Sequence, residues 1–220
     1  MTEITEEVIS QTGGILLAAG RGRRMGCLKQ VLPWHDSTVV ASAFDGLVRY
    51  CSGGEGMMVV VGEDDREVIE GALAGRRYRV VMSDSDAEQF RSILAGLRGV
   101  LKMERFARVW IHPADHPMVP VRVVEGLLRK NAEIENGRAL IPTYRGRGGH
   151  PVLIPRCVAD AIVMWSEEVD SEERVKREGL RSFWAERANM ADRVEFDDVP
   201  EIVIDLDTAA DYQKARRAFE

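Results

Sequence analysis

Residues 14–33, GILLAAGRGRRMGCLKQVLP, combine a short apolar run with closely spaced glycines and basic side chains. Gly20, Gly22 and Gly26 allow the backbone to approach an anion more closely than a Cβ would permit. The same stretch carries the cationic residues Arg21, Arg23, Arg24 and Lys29, which can neutralise phosphate charge. This combination favours the binding of a polyphosphate.

Two common phosphate-binding motifs fit this segment poorly. A Walker A loop requires a Gly-Lys pair, which the chain lacks. A dinucleotide-binding turn expects an acidic residue about 20 positions beyond its glycines, whereas the next strand-like run, Met57–Val61, lies farther away. A solvated basic loop would explain the arginines, but it would leave the glycines without a role.

Two other positions could carry chemistry. Asp115 follows the apolar run 109–111 and lies between Pro113 and Pro117, so we expect it just beyond the end of a strand. Its carboxylate could bind Mg²⁺ together with phosphate oxygens and water, or it could cap the loop. His150 lies in a glycine-rich turn, where it could contact a substrate or pack against the turn.

The composition is that of a globular protein without a nucleic-acid or membrane partner. Thirty basic and 36 acidic residues give a net charge of −6, opposite in sign to a nucleic-acid-binding surface. No apolar run approaches the roughly 20 residues of a membrane span. Three cysteines without zinc-site spacing suit a reduced cytoplasm. Residues 1–12 are polar and acidic, which predicts a loose tail, and residues 13–220 are predicted to form one domain.

Strand-like and helix-like segments alternate along that domain. This alternation predicts a single three-layer α/β/α domain with a mainly parallel, Rossmann-like sheet and ligands at the carboxyl ends of its strands. The charge-dense stretch 166–187 is typical of a solvated helix. The predicted strands are 15–18, 57–61, 79–82, 109–112, 139–142 and 152–154, and the predicted helices are 39–50, 65–74, 89–101 and 121–131.

Four motifs in order resemble those of nucleotidyltransferases. The first is Leu17-Ala18-Ala19-Gly20, followed by Arg24-Met25-Gly26, Lys29 and Leu32-Pro33. The others are Pro113-Ala114-Asp115-His116-Pro117, Gly149-His150-Pro151-Val152, and Asp205-Leu206-Asp207-Thr208 with Asp211. The LAAG sequence and the run Leu32-Pro33-Trp34 are most similar to the molybdenum cofactor cytidylyltransferase branch, a group of MobA-like NTP transferases.

The resemblance implies an enzyme of the EC 2.7.7 type. It would transfer a nucleoside monophosphate, such as CMP from CTP, to a phosphorylated small-molecule acceptor such as molybdopterin, and it would release pyrophosphate. The implied catalytic residues are Arg24, Lys29 and Asp115, and Mg²⁺ would be held by Asp115 with Asp205 or Asp207. The implied nucleotide-binding residues are Leu17, Ala18, Ala19, Gly20, Gly22, Arg23, Gly26 and Ser92, and the implied acceptor-binding residues are Gly149, His150 and Pro151.

Several alternatives stay open at this point. Ser92 could contact the base or only pack in its helix. The acceptor could be a sugar or alcohol phosphate, because residues 177–181, REGLR, lack an aspartate that related chains commonly carry there. A non-catalytic nucleotide-binding or cofactor-binding chaperone, in transient contact with a cofactor-accepting enzyme, could keep the same fold.

Overall fold

The computed structural model describes residues 3–20, 27–84, 89–134, 137–168 and 179–219. Its strands are β1 (Thr12–Leu17), β2 (Pro33–Trp34), β3 (Ser37–Thr38), β4 (Met57–Val61), β5 (Arg79–Met82), β6 (Arg108–Pro113), β7 (Ala139–Tyr144), β8 (Arg147–Gly148), β9 (Val152–Pro155) and β10 (Ala191–Glu195). Its α-helices are α1 (Glu6–Ser10), α2 (Val39–Val48), α3 (Arg66–Ala72), α4 (Gln89–Leu101), α5 (Val121–Ile134), α6 (Arg156–Glu168), α7 (Leu180–Glu186) and α8 (Ala209–Phe219).

The main sheet has the strand order β10-β7-β9-β6-β1-β4-β5, with β8 paired to β7. The pairs β1/β4, β1/β6, β4/β5 and β7/β10 are parallel, whereas β9 runs antiparallel to β6 and β7. Strands β1 and β4 are buried along their whole length, as their unbroken apolar runs predict for central strands. The prediction of a mainly parallel sheet is confirmed.

Helices cover both faces of this sheet, which confirms the three-layer prediction. On one face, α2, α3 and α5 pack against Leu16, Val59 and Trp110. On the other, α4, α6 and α7 pack against Ile15, Val60 and Ile111. Successive residues of β1 therefore point into opposite cores, as strand geometry requires.

The N-terminal residues differ from the loose tail expected over residues 1–12. Thr5 caps α1 by accepting a hydrogen bond from the backbone N–H of Val8, and Thr12 is already the first residue of β1. The backbone carbonyl of Val8 accepts hydrogen bonds from Thr12 Oγ1 at 2.6 Å and from Arg108 Nη1 at 3.1 Å. These bonds, together with packing of Ile4 and Val8 on the core, hold the segment against the sheet.

The structure also contains elements that the sequence does not predict, among them α8, β10 and most of α6. Strand β10, which the sequence analysis leaves unassigned, pairs with β7 from Ala191 opposite Ala139 to Glu195 opposite Thr143. Within the predicted helix 166–187, α6 ends at Glu168 and α7 begins at Leu180, while 169–178 lie outside the described residues. No helix in the described ranges is long and apolar enough to cross a membrane.

Candidate active site

A cleft of about 470 Å³ opens at the carboxyl ends of β1 and β6. These strands are paired in register up to Leu17 opposite Pro113, so the loops that follow them leave the sheet side by side. The cleft is lined by Leu17, Ala19, Gly20, Lys29, Gln30, Gln89, Ser92, Pro113, Asp115, His116, Arg147, Gly148, Gly149, His150, Arg181, Ile202, Val203, Asp205 and Asp207. Segments far apart in sequence therefore meet where parallel sheets usually bind ligands.

Lys29 links two of the predicted site segments. It begins a short 3₁₀ helix, Lys29–Val31, and it is 8% exposed. Its Nζ donates hydrogen bonds to Asp115 Oδ2 at 2.5 Å and to Asp207 Oδ1 at 2.9 Å. A single ammonium group thus joins the loop after β6 to the segment before α8.

The three groups stabilise one another's charged forms. Burial alone would lower the pKa of Lys29, but Asp115 and Asp207 raise that pKa above its ordinary value. Burial would raise the pKa of Asp115, yet the overall direction is downward, and the Lys29 ammonium contributes both by its charge and by its hydrogen bond. Lys29 and Asp115 are therefore both ionised at neutral pH.

Asp205 adds a further acidic side chain beside this pair. Burial raises the pKa of Asp205, and the nearby carboxylates of Asp207 and Asp115 raise it further. The backbone N–H of Leu206 donates to the carbonyl of Asp115 at 3.2 Å, which fixes the C-terminal segment against the loop after β6. Asp211 has a different role, because it exchanges hydrogen bonds with Thr208 at the start of α8.

These residues fit a divalent cation that is shared with a substrate. Among the described residues, no three His, Cys, Asp or Glu side chains are grouped closely enough to hold a metal by themselves. Mg²⁺ usually needs only one or two carboxylates when phosphate oxygens and water complete its shell. Asp115 and Asp207 both reach one Lys29 nitrogen, so their oxygens lie close enough to serve as such a pair.

A cluster of three histidines lies beside the carboxylates. The His116 ring contacts His150 at a centroid distance of 5.3 Å and His112 at 6.1 Å. Burial, with smaller repulsion from the neighbouring ring, lowers the pKa of His150 to about 3, and burial also lowers the pKa of His112 and His116. The Nδ1 atoms of all three rings are buried and lack a hydrogen-bond partner among the described residues.

The predicted acceptor loop is packed closely against the C-terminal segment. A Cβ on Gly149 would lie 2.2 Å from the backbone oxygen of Ile202, so only glycine fits there. The next residue, His150, donates its backbone N–H to that same oxygen at 2.9 Å. His150 lines the cleft, whereas Pro151 lies behind it, in a small cavity with His112 and His116.

The nucleotide-binding prediction falls partly on described residues. Leu17, Ala18 and Ala19 are buried at the end of β1, and Gly20 is exposed at the mouth of the cleft. Ser92 lines the cleft from α4 and shares a hydrogen bond of 3.0 Å with Ser83. Gly22, Arg23, Arg24 and Gly26 lie outside the described residues.

Gln30, His116, Arg147 and Arg181 are among the cleft residues that sequence reasoning did not assign to the site. Gln30 is 2% exposed, and its Nε2 donates to the carbonyl of Gly20 at 2.8 Å and approaches that of Ala18 at 3.4 Å. It therefore holds the start of the glycine-rich segment. Its position next to Lys29 was the only available signal, because a lone glutamine has no characteristic spacing.

Comparisons with known proteins agree with this geometry. Residues 14–189 match the sequence profile of the MobA-like NTP transferase domain. The molybdenum cofactor cytidylyltransferase of Escherichia coli K12 is 24% identical over 208 residues, which are 93% of this chain and 95% of the relative.

Two solved structures share the fold. A nucleotidyl transferase from Methanothermobacter superposes with a TM-score of 0.71 and 24% identity, over 95% of this chain and 97% of that chain. Rv0371C from Mycobacterium tuberculosis H37Rv, solved as a complex with manganese, gives a TM-score of 0.69 and 21% identity, over 94% and 99% of the two chains.

Proposed function

The chain belongs to the MobA-like NTP transferase family and is a nucleotidyltransferase, and from that premise we propose that it transfers CMP from CTP to a phosphorylated acceptor such as molybdopterin. The observation that carries the proposal is the meeting of Lys29, Asp115 and Asp207 at one point of the cleft. The E. coli relative, a molybdenum cofactor cytidylyltransferase aligned over nearly the whole chain, supports the choice of nucleotide and acceptor.

In the proposed reaction an oxygen of the acceptor phosphate attacks the α-phosphorus of CTP. A new P–O bond forms as the bond between the α-phosphorus and the bridging oxygen breaks, and pyrophosphate leaves with that electron pair. Catalysis then depends on neutralising the phosphates and aligning the reactants, without a covalent intermediate. Mg²⁺ held by Asp115 with Asp207 would supply charge neutralisation at the phosphates.

Different residues of the cleft would have different roles in this reaction. Lys29, with Arg24 from the glycine-rich segment, would bind the β- and γ-phosphates and stabilise the departing pyrophosphate. Gln30 would keep the carbonyl of Gly20 turned away from these phosphates, because its amide already binds that oxygen. Ser92 would lie on the nucleotide side, where α4 lines the cleft.

The acceptor would bind on the histidine side of the cleft. His150 is neutral at physiological pH because burial lowers its pKa to about 3, so it can donate or accept a hydrogen bond without bringing a charge. The backbone of Gly149, held close to Ile202, would keep His150 in place. A transient partner enzyme would receive the finished cofactor at this side.

The test is pyrophosphate release from each of the four nucleoside triphosphates with a panel of phosphorylated acceptors. We expect turnover with CTP and molybdopterin, and dependence on a divalent cation. Turnover only with a sugar or alcohol phosphate would replace the acceptor assignment. Tight nucleotide binding without turnover on any acceptor would indicate a binding protein instead of an enzyme.

A further inference from the structure

Lys29 lies where a cation is required even before any substrate arrives. Its Nζ is within hydrogen-bond distance of carboxylates from two different segments, at 2.5 Å and 2.9 Å. These carboxylates are the same two that the proposed function assigns to the divalent cation. An ammonium group and a divalent cation cannot both occupy the space between them.

Lys29 already contacts the two carboxylates that a divalent cation would use, so the cation can bind between them only by replacing the ammonium group. The ammonium group of Lys29 contacts Asp115 and Asp207, and Asp205 lines the same cleft. With Lys29 in place, Asp115 Oδ2 and Asp207 Oδ1 already accept hydrogen bonds from its ammonium group.

The exchange needs movement of a side chain but not of the main chain. The backbone of Lys29 is fixed by the 3₁₀ helix, in which Leu32 donates its N–H to the carbonyl of Lys29 at 3.2 Å. Gln30, the next residue, is anchored to Gly20. Lysine has a four-carbon stem that can redirect its ammonium group toward a new anion at the same rim.

We infer that Lys29 is the resident counterion of the metal site and that a divalent cation enters the site only when Lys29 moves from Asp115 and Asp207 to the triphosphate. This inference rests on the proposed function for the identity of the triphosphate. It makes the binding of metal and nucleotide mutually dependent, because each removes an obstacle to the other. In the absence of nucleotide, Lys29 competes with the metal.

The inference can be tested by titrating the nucleotide-free protein with Mn²⁺ and measuring free Mn²⁺ by electron paramagnetic resonance. Lys29→Met keeps the length of the side chain but removes its charge, and Lys29→Ala removes both. We expect either variant to bind Mn²⁺ about tenfold more tightly than the unsubstituted protein, or better, because a positive charge next to the site is lost. Lys102→Ala, which removes an exposed lysine just after α4, should leave the affinity unchanged.

A second substitution locates the effect. Adding Asp115→Asn to Lys29→Met should abolish the gain, because the gained ion uses the Asp115 carboxylate. Circular dichroism of each variant identifies a misfolded protein, and Lys29→Met serves if Lys29→Ala does not fold. Equal Mn²⁺ affinity in the unsubstituted protein and Lys29→Met would overturn the inference, as would a gain that survives Asp115→Asn.

This outcome is separable from that of the proposed function. The titration uses the metal alone and requires no turnover, so it does not depend on which nucleotide or acceptor the enzyme uses. If the Lys29 variants bind Mn²⁺ more tightly while no nucleoside triphosphate is consumed, the proposed transfer is wrong and the exchange of Lys29 for the metal is supported. If CTP is consumed but substitution of Lys29 leaves the Mn²⁺ affinity unchanged, the exchange is wrong and the proposed transfer is supported.

Discussion

The two halves of the cleft handle buried polar groups in opposite ways. In the carboxylate half, Lys29 and Asp115 stay charged because their opposite charges are in direct contact, and Lys29 also contacts Asp207 at 2.9 Å. In the histidine half, His112, His116 and His150 are neutral, because burial lowers their pKa values. Paired charges are thus concentrated where phosphates and metal would bind, while the three imidazole rings beside them are neutral.

The difference predicts which substitutions affect the chemical step. In the carboxylate half, each group should contribute mainly to the transition state, where negative charge moves onto the leaving pyrophosphate. In the histidine half, His150, which lines the cleft, should contribute to binding of the acceptor. The substitutions below separate these two roles, and the effect on turnover should decrease from the first half to the second.

The largest effect is expected for Asp115→Asn. The amide keeps the shape of the side chain but loses the charge that binds a metal, so kcat should fall by roughly a hundredfold to a thousandfold. Steady-state pyrophosphate release at saturating Mg²⁺ measures this. Near-normal turnover would mean that Asp115 does not bind the metal, and that the carboxylate half is not where the chemical step depends on charge.

Lys29→Ala should reduce kcat by about a hundredfold, with a smaller change in the KM for CTP, because the lost charge interacts most strongly with the leaving group. Separate determination of kcat and of the KM for CTP shows which of the two constants changes more. An effect confined to KM would mean that Lys29 binds substrate and transition state equally. Tighter Mn²⁺ binding together with slower turnover would show that the same residue restrains the metal and assists the reaction.

His150→Ala should raise the KM for the acceptor by up to about tenfold, the value of one lost hydrogen bond, and should leave CTP affinity unchanged. Calorimetric titration with CTP in the absence of acceptor provides the second measurement. An equal loss of CTP affinity would place His150 in a packing role. Thermal unfolding of the variant identifies a general loss of stability.

Sequence reasoning located the fold more completely than the site. The bounds of β4, β5 and α4 agree with the structure residue for residue, because long apolar runs and helical periodicity specify them locally. Strand β10 escaped detection because its sequence, ADRVE, is mostly polar and its place in the sheet comes from pairing with β7. Tertiary pairing of that kind leaves no local pattern.

The same limit applies to the site. The resemblance predicts Lys29 and Asp115 in one catalytic site, but their direct contact depends on how β1 and β6 align, which the sequence does not encode locally. His112 looked like part of an apolar strand, and only the fold brings it near His116 and His150. The roles assigned to all of these residues remain predictions that the substitutions test.

The smallest effect is a change of stability with pH, and it distinguishes the two halves without any substrate. The folded-state pKa of His150 is depressed to about 3, so its contribution is present above pH 6.5 and is lost as pH falls toward 3. At pH 5.5 the free energy of unfolding should be lower by about 1.4 kcal/mol for each histidine that stays neutral in the folded state.

The carboxylate half behaves differently over this range. The pKa of Asp115 is lowered, so its contribution is lost only as pH falls below 3.8, and the pKa of Lys29 is raised, so its contribution is lost only above 10.5. Urea unfolding between pH 5.5 and 7.5 should therefore report the histidines without a contribution from Asp115 or Lys29. His150→Leu should reduce the slope of the free energy of unfolding against pH by the equivalent of about one proton. An unchanged slope would contradict the conclusion that His150 is neutral in the folded protein.

The contact between Gly149 and Ile202 restricts how this protein can be altered by exchange of segments. The acceptor loop touches the backbone just before Asp205 and Asp207, with no space for a side chain between them. A loop of different shape grafted from a relative would displace the acidic segment along with it. Chimeras designed to change the acceptor should therefore exchange residues 142–151 and 200–208 together, because these two stretches are packed against each other without a gap.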